Sequence, residues 1–292
     1  MPRHRSPLRR YLEVRGAIRH VHHPELVARL RTADGVPLRG SYLRAPSRRA
    51  DGVADAAATD GVAVLLAHGF AANRYKPAYA RLAAAIAHHL PVLTLDLRGH
   101  GGSGGRCTLG DREALDVEAA AGWLRQVGHD RIVVVGASMG ATAVLHAVSK
   151  GLPAEAVIAI SAPAVFRSPP ASRPLAQLHG VWTSPLKRAA LRTGFGIALA
   201  GPQAWGDPPH PEVMVRSVTV PLLVVHGDDD GYFPPEDADR LAAGAGGPTV
   251  VWHEPTGFGH AEDGFTPVFA RRLADAVVEV VGTGGFPERR SP

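Results

Sequence analysis

The sequence predicts an α/β fold: a mostly parallel, eight-stranded-type sheet with helices on both faces and a small insertion late in the chain. Three observations carry this. Short β-branched runs at 62–67, 92–96, 132–136, 156–160, 221–226 and 249–252 alternate with stretches of helical periodicity. The runs are continuously apolar, as strands buried on both faces must be. A proline-rich interval at 163–217 then breaks the alternation.

Taken in order, 26–32 and 36–44 flank the turn signal Ala33-Asp34-Gly35 and predict an opening β-hairpin. Residues 46–61, rich in Ala, Asp, Gly and Ser, have little to bury and predict an exposed loop. Helices are expected over 79–89, 112–126, 141–150, 235–243 and 266–281, between the strands. The 163–217 interval carries nine prolines together with Phe166, Trp182, Phe195 and Trp205, and reads either as a small cap or as a long irregular crossover. The resulting layout is an N-terminal extension at 1–24, a core at 25–162 and 218–282, a cap at 163–217, and a tail from 283 to 292, with 282–292 expected to fray.

Composition narrows the function. With 292 residues and 45% hydrophobic content the chain can bury a sizeable core, and no 20-residue apolar span predicts a transmembrane helix. The single cysteine, Cys107, excludes an intramolecular disulfide. A sequence pI near 9.8 suggests nucleic acid as a partner, but the charge is uneven. Residues 1–49 hold 12 Arg against 3 acids, and the remainder holds 20 Lys and Arg against 24 acids. The basicity therefore belongs to the N-terminal segment, and no nucleic-acid partner is expected. Residues 1–23 lack a signal-peptide core, so a cytoplasmic location is expected. Tyr11, Val14, Ile18 and Val21 fit helical spacing, while Leu12, Val14, Gly16 and Ile18 fit a strand; weak contact with anionic surfaces is the most this segment suggests.

The chemistry begins at Arg131-Ile-Val-Val-Val-Gly136-Ala-Ser138-Met-Gly140, a strand running into Gly-x-Ser-x-Gly with a helical stretch after it. A serine on so sharp a turn needs neighbours without a Cβ, which Gly136 and Gly140 provide. A hydroxyl needs a base, and the base an acid to fix its tautomer. Acids follow the strand at 221–226, as Asp228, Asp229 and Asp230; His260 follows the strand at 249–252, in the loop Glu254-Pro-Thr-Gly-Phe-Gly-His260.

On these residues the chain resembles the α/β-hydrolase superfamily, over roughly 25–282, and three more stretches share in the resemblance. They are Leu65-Leu-Ala-His68-Gly69-Phe70, Asp96-Leu-Arg-Gly-His-Gly-Gly-Ser-Gly-Gly105, and His226-Gly-Asp-Asp-Asp230-Gly-Tyr-Phe-Pro234. The resemblance implies the order Ser138, Asp230, His260, with Asp228 and Asp229 as alternatives for the acid. It also implies an oxyanion hole from the backbone N–H groups of Phe70 and Met139, and it makes the 163–217 interval a cap whose Phe166, Trp182, Phe195 and Trp205 line the substrate pocket.

The expected activity is hydrolysis of a small-molecule carboxylic ester or thioester through an acyl-serine. A biosynthetic thioesterase or acyltransferase, a peptidase and a cofactor-free perhydrolase share these residues, and a non-catalytic binding protein on the same fold is the non-enzyme alternative. Gly99-His-Gly101-Gly-Ser-Gly104 matches a dinucleotide fingerprint, yet no helix begins directly after it, so it reads as a turn beside the site. His22-His23 and His88-His89 lack metal-ligand spacing. No cofactor and no metal are expected, and oligomeric state is not readable.

Overall fold

The computed structural model describes residues 25–45 and 59–289. The N-terminal extension, with its ambiguous periodicity, and most of the loop expected at 46–61 lie outside these residues. In chain order the elements are β1 (Glu25–Arg31), β2 (Pro37–Leu43), β3 (Val62–Ala67), α1 (Pro77–Ala87), β4 (Val92–Asp96), α2 (Glu113–Gln126), β5 (Arg131–Ala137), α3 (Met139–Ser149) and β6 (Ala156–Ile160). The cap interval contributes α4 (Arg173–Thr183), α5 (Pro185–Phe195) and the short α6 (Pro211–Met214). The chain closes with β7 (Leu222–Gly227), α7 (Glu236–Gly244), β8 (Thr249–Glu254) and α8 (Pro267–Thr283).

The strands form one eight-stranded sheet in the order β1-β2-β4-β3-β5-β6-β7-β8. Only the opening hairpin is antiparallel: β1 pairs with β2, and β2 with β4; β3 to β8 are parallel. Strand periodicity divides the core cleanly. Ala63, Leu65, Ile132 and Val134 enter one cluster beneath α2 and α3, while Val62, Val64, Leu66, Val133 and Val135 enter the other, beneath α1 and α8. Burial on both faces explains why these strands read as unbroken apolar runs.

Parallel strands aim all their carboxyl ends at one edge, and the loops leaving β3, β5, β7 and β8 meet there. The hairpin turn is tied to this edge from below. Arg98 donates to both Asp34 oxygens, at 2.7 and 3.0 Å, and to Asp116 at 2.8 Å; the Arg98 hydrogen bond holds the Asp34 carboxyl down at about 2.

The 163–217 interval is more regular than an irregular crossover. Pro174, Pro185, Pro202 and Pro211 stand in the first turns of helical segments, where no N–H is needed and a fixed φ favours helix entry. Neither α4 nor α5 contains a buried residue. Their base is nevertheless anchored. Ala198 N donates to Gly99 O at 2.8 Å, Cys107 N to Ala198 O at 2.7 Å, and Arg167 forks onto the buried Asp237 at 2.7 and 3.0 Å. Cys107 is accordingly buried, and burial raises its thiol well above the ordinary range.

Up to residue 289 the C-terminal stretch departs from the expected fraying, and 290–292 lie outside the described residues. Helix α8 runs to Thr283, and the chain then folds back so that Pro287 O accepts from Trp252 Nε1 at 3.0 Å, with Phe286 against the core. A buried indole N–H needs an acceptor, and the returning backbone supplies it. No helix among the described residues is long and apolar enough to cross a membrane.

Candidate active site

Ser138 sits between the end of β5 and the first residue of α3, with φ 52° and ψ −117°. The glycines around it are required by contact as well as by turn type. A Cβ on Gly136 would lie 2.3 Å from Gly140 O, and one on Gly140 would lie 2.4 Å from Ala67 O. Strand, turn and helix are therefore packed backbone to backbone, and the serine side chain is presented at the sheet edge.

His260 reaches Ser138 from the loop after β8: its Nε2 is 2.9 Å from Ser138 Oγ. Its Nδ1 lies 2.7 Å from Asp230 Oδ2. A carboxylate can only accept, so Nδ1 carries the proton and Nε2 offers its lone pair to the serine hydroxyl. The Asp230 side chain is shut off from solvent, and its other oxygen accepts from Tyr232 N at 2.8 Å and Phe233 N at 3.2 Å. Tyr232 stacks on the imidazole with centroids 4.2 Å apart. Below the acid, the buried His226 donates from Nε2 to Phe233 O at 3.2 Å, and burial keeps it neutral by lowering its pKa.

The two alternative acids occupy different positions. Asp228 is half exposed, with an oxygen 3.8 Å from His253 Nδ1. Asp229, exposed in the turn after β7, does not reach His260 and instead accepts from Gly257 N at 2.8 Å and Gly259 N at 2.9 Å. These amides lower its pKa and fasten the loop that carries His260. Ser161 holds the other side of that loop, accepting from Ala261 N at 2.9 Å. Asp229 and Ser161 act on residues far away in sequence, so nothing in their own neighbourhoods announces the role.

The loop after β3 forms the facing wall; a Cβ on Gly69 would come within 3.4 Å of Ser138 Cβ. Its amides are individually accounted for. Gly69 N donates to Tyr79 Oη at 2.8 Å and Ala71 N to His100 Nε2 at 3.2 Å. Phe70 N, between them, and Met139 N, the first of α3, have no acceptor among the described residues. Two buried imidazoles stiffen this wall. Leu97 N donates to His68 Nε2 at 3.0 Å, while His68 Nδ1 donates to Gly69 O at 2.7 Å. Desolvation pushes His68 down to about 4 and His100 to about 3, so both are neutral acceptors here.

The wall and the histidine loop are joined by a chain that sequence reading missed. Tyr79 Oη accepts from Gly69 N and donates to Glu262 Oε2 at 3.0 Å, and Glu262 also pairs with Lys76. Glu262 stands two residues after His260, and Lys76 holds its pKa down against its burial.

In the cap, Phe166, Trp182 and Trp205 join one another edge to face, at 5.2 and 5.9 Å. Phe195 instead closes α5, ahead of the left-handed Gly196. The Gly99 to Gly104 segment is a closed turn, Gly99 N donating to Gly104 O at 2.8 Å, and no helix opens from it. Among the described residues no three His, Cys, Asp or Glu side chains are grouped to hold a metal.

A sheet order of 1-2-4-3-5-6-7-8 with these loop positions is the α/β-hydrolase fold. The family model described as alpha/beta hydrolase fold matches residues 62–186. Among solved structures, the Pyrococcus furiosus esterase Pf2001 is similar at a TM-score of 0.62 with 20% identity, over 88% of this chain and 91% of that one. A thermophilic esterase from Thermogutta terrifontis gives 0.61 at 18% identity, over 88% and 100%, and the esterase RhEst1 from Rhodococcus gives 0.60 at 18%, over 89% and 99%. No curated protein matches the chain.

Proposed function

We propose that the protein is a serine hydrolase that cleaves small carboxylic esters or thioesters through an acyl-serine. The observation that carries this reading is the unbroken hydrogen-bonded line Ser138–His260–Asp230 on a strained turn. In it, Ser138 attacks the acyl carbonyl as His260 Nε2 takes the hydroxyl proton, and His260 returns that proton to the departing alcohol or thiol. Asp230 fixes the tautomer and stabilises the imidazolium. The N–H groups of Phe70 and Met139 then receive the oxyanion, an interaction worth roughly 3 kcal/mol per donor in comparable sites. A water brought to the same His260 resolves the acyl-enzyme. The structural neighbours named as esterases support this class.

The aromatic chain in the cap favours an apolar acyl or alcohol group of limited size, since two short helices cannot enclose a long chain. Short to medium acyl esters should outperform those of about sixteen carbons in a graded screen. The test of the central reading is a fluorophosphonate probe, which should label the protein once, at Ser138. Labelling at Ser103 or Ser161 with Ser138 untouched would remove it, as would an absence of turnover across esters and thioesters of every length.

A further inference from the structure

Helices α4 and α5 carry Arg173, Lys187, Arg188 and Arg192 and no acidic residue. Bulk counting hides this, because acids elsewhere outweigh these cations in the chain beyond residue 49. Two of the four, Arg188 and Arg192, join Arg106 around a cavity of 260 Å³ with an aliphatic floor that includes Ala198 and Leu199. No carboxylate lines the cavity, and among the described residues none of the three guanidiniums pairs with one. Inside the body the rule is the opposite: Arg98 is matched by Asp34 and Asp116, and Arg167 by Asp237.

Like charges gathered around one concavity repel one another, and their fields add within it. Arg188 is fixed in this arrangement, because it donates to Trp182 O and packs so closely on Gly201 that a Cβ there would lie 3.0 Å from its guanidinium. The cavity also includes Pro185, where α5 begins with its positive dipole end.

We infer that this cavity is a binding site for a phosphate-class oxyanion. Three planar forks provide more donors than one carboxylate can accept, and they match the oxygens of a phosphate or pyrophosphate. The volume lies below the roughly 300 Å³ at which pockets begin to hold whole drug-sized ligands, so a headgroup fits and a nucleotide does not. Leu199 on its floor bridges to Cys107, whose Sγ is 3.4 Å from the Sδ of Met139, the residue after Ser138. The cavity therefore backs onto the same wall as the candidate active site, where it can take either a free anion or the phosphorylated end of a larger molecule.

Calorimetric titration of pyrophosphate into the full chain at low ionic strength tests the site without reading turnover, so its outcome is independent of the hydrolase reading. Saturable binding is expected, weakened about tenfold or more by Arg106→Gln and by Arg192→Gln, both exposed side chains, and retained in Lys187→Gln on the same helix. Glycerol phosphate binding tighter than inorganic phosphate marks an attached group as the natural ligand, and equal binding a free ion. No saturable binding, unchanged affinity in both arginine variants, or an equal loss in Lys187→Gln would each overturn the inference.

Discussion

Around Ser138 a methyl group cannot be added to either flanking glycine without displacing backbone, whereas along α4 and α5 not one side chain is fully buried. The two regions also differ in their polar groups. At the sheet edge the amides of Gly69, Ala71, Gly257, Gly259 and Ala261 each have a named acceptor, while Arg188 and Arg192 in the cap line a cavity that holds no carboxylate. Tight packing fixes geometry to the precision that proton transfer needs. Loose packing leaves residues available for a ligand. A single chain supports both because α4 and α5 rest on the core through partly buried residues such as Leu178 and Leu191, while the segments flanking them are tied down through Ala198 to Cys107 and Arg167 to Asp237.

The sharpest way to break this comparison is at the acids. Asp230→Asn should lower kcat by a factor on the order of 10³ or more, since the amide cannot hold His260 in the required tautomer. Asp229→Asn disturbs the amides of Gly257 and Gly259 and should cost about tenfold, while Asp228→Asn, at a half-exposed position, should stay within about twofold. Steady-state kinetics on a short ester distinguishes these. Equal losses at all three would mean that the loop responds to charge as a whole.

Packing is tested by adding the same methyl in each region. Gly140→Ala should cost about 3 kcal/mol or more in denaturant unfolding, because the new Cβ meets the carbonyls of Ala67 and His68. Gly180→Ala, within α4, meets nothing nearer than Lys187 Nζ at 3.7 Å and should stabilise by about 0.5–1 kcal/mol. A neutral Gly140→Ala would contradict the account of the elbow.

What was legible in the sequence follows the same division. Ser138 and its glycines form a contiguous motif and His260 follows a recognisable strand, so local pattern and chain order nominate them, whereas Asp230 is picked out from Asp228 and Asp229 only by the family resemblance. Six strands could be read as apolar runs, and β1 and β2 from the turn signal Ala33-Asp34-Gly35 between two alternating runs. Tyr79, Glu262, Ser161 and the clamp at Asp229 could not, since their partners lie 10 to 186 residues away, Gly69 from Tyr79 at the near end and Lys76 from Glu262 at the far one. The cap helices were obscured for another reason: proline breaks a helix in its interior but starts one at N1, and sequence does not say which use applies. The returning tail depended on Trp252 needing an acceptor, a demand visible only once β8 is placed.

The buried imidazoles give the comparison a pH axis. His68 titrates at about 4 and His100 at about 3 in the folded chain, against 6.5 when exposed. The unfolded state thus binds more protons below pH 6.5, and stability present above that value is lost as pH falls towards 4. At pH 5 the loss is on the order of 2 kcal/mol for each histidine. Thermal melts should show a lower Tm at pH 5 than at pH 7, with a smaller drop in His100→Asn, which retains an acceptor for Ala71 N. An unchanged drop in that variant would place the pH sensitivity elsewhere.

An effect confined to kcat is expected from the chain that runs from Glu262 through Tyr79 to Gly69. Tyr79→Phe keeps the ring that packs edge to face on Phe265 at 5.4 Å and removes only the hydroxyl. Gly69 N then loses its acceptor, which loosens the loop that carries Phe70 N. On the proposed role of Phe70 N as an oxyanion donor, that N–H matters most once charge has developed on the substrate oxygen, so kcat should fall about tenfold while KM holds. A trifluoromethyl ketone that mimics the tetrahedral intermediate should bind more weakly by the same factor. Glu262→Gln can still accept from Tyr79 but loses its ion pair with Lys76, so its loss should be smaller than that of Tyr79→Phe. If Tyr79→Phe instead raises KM with kcat intact, the hydroxyl serves ground-state binding and the two loops are not coupled through it.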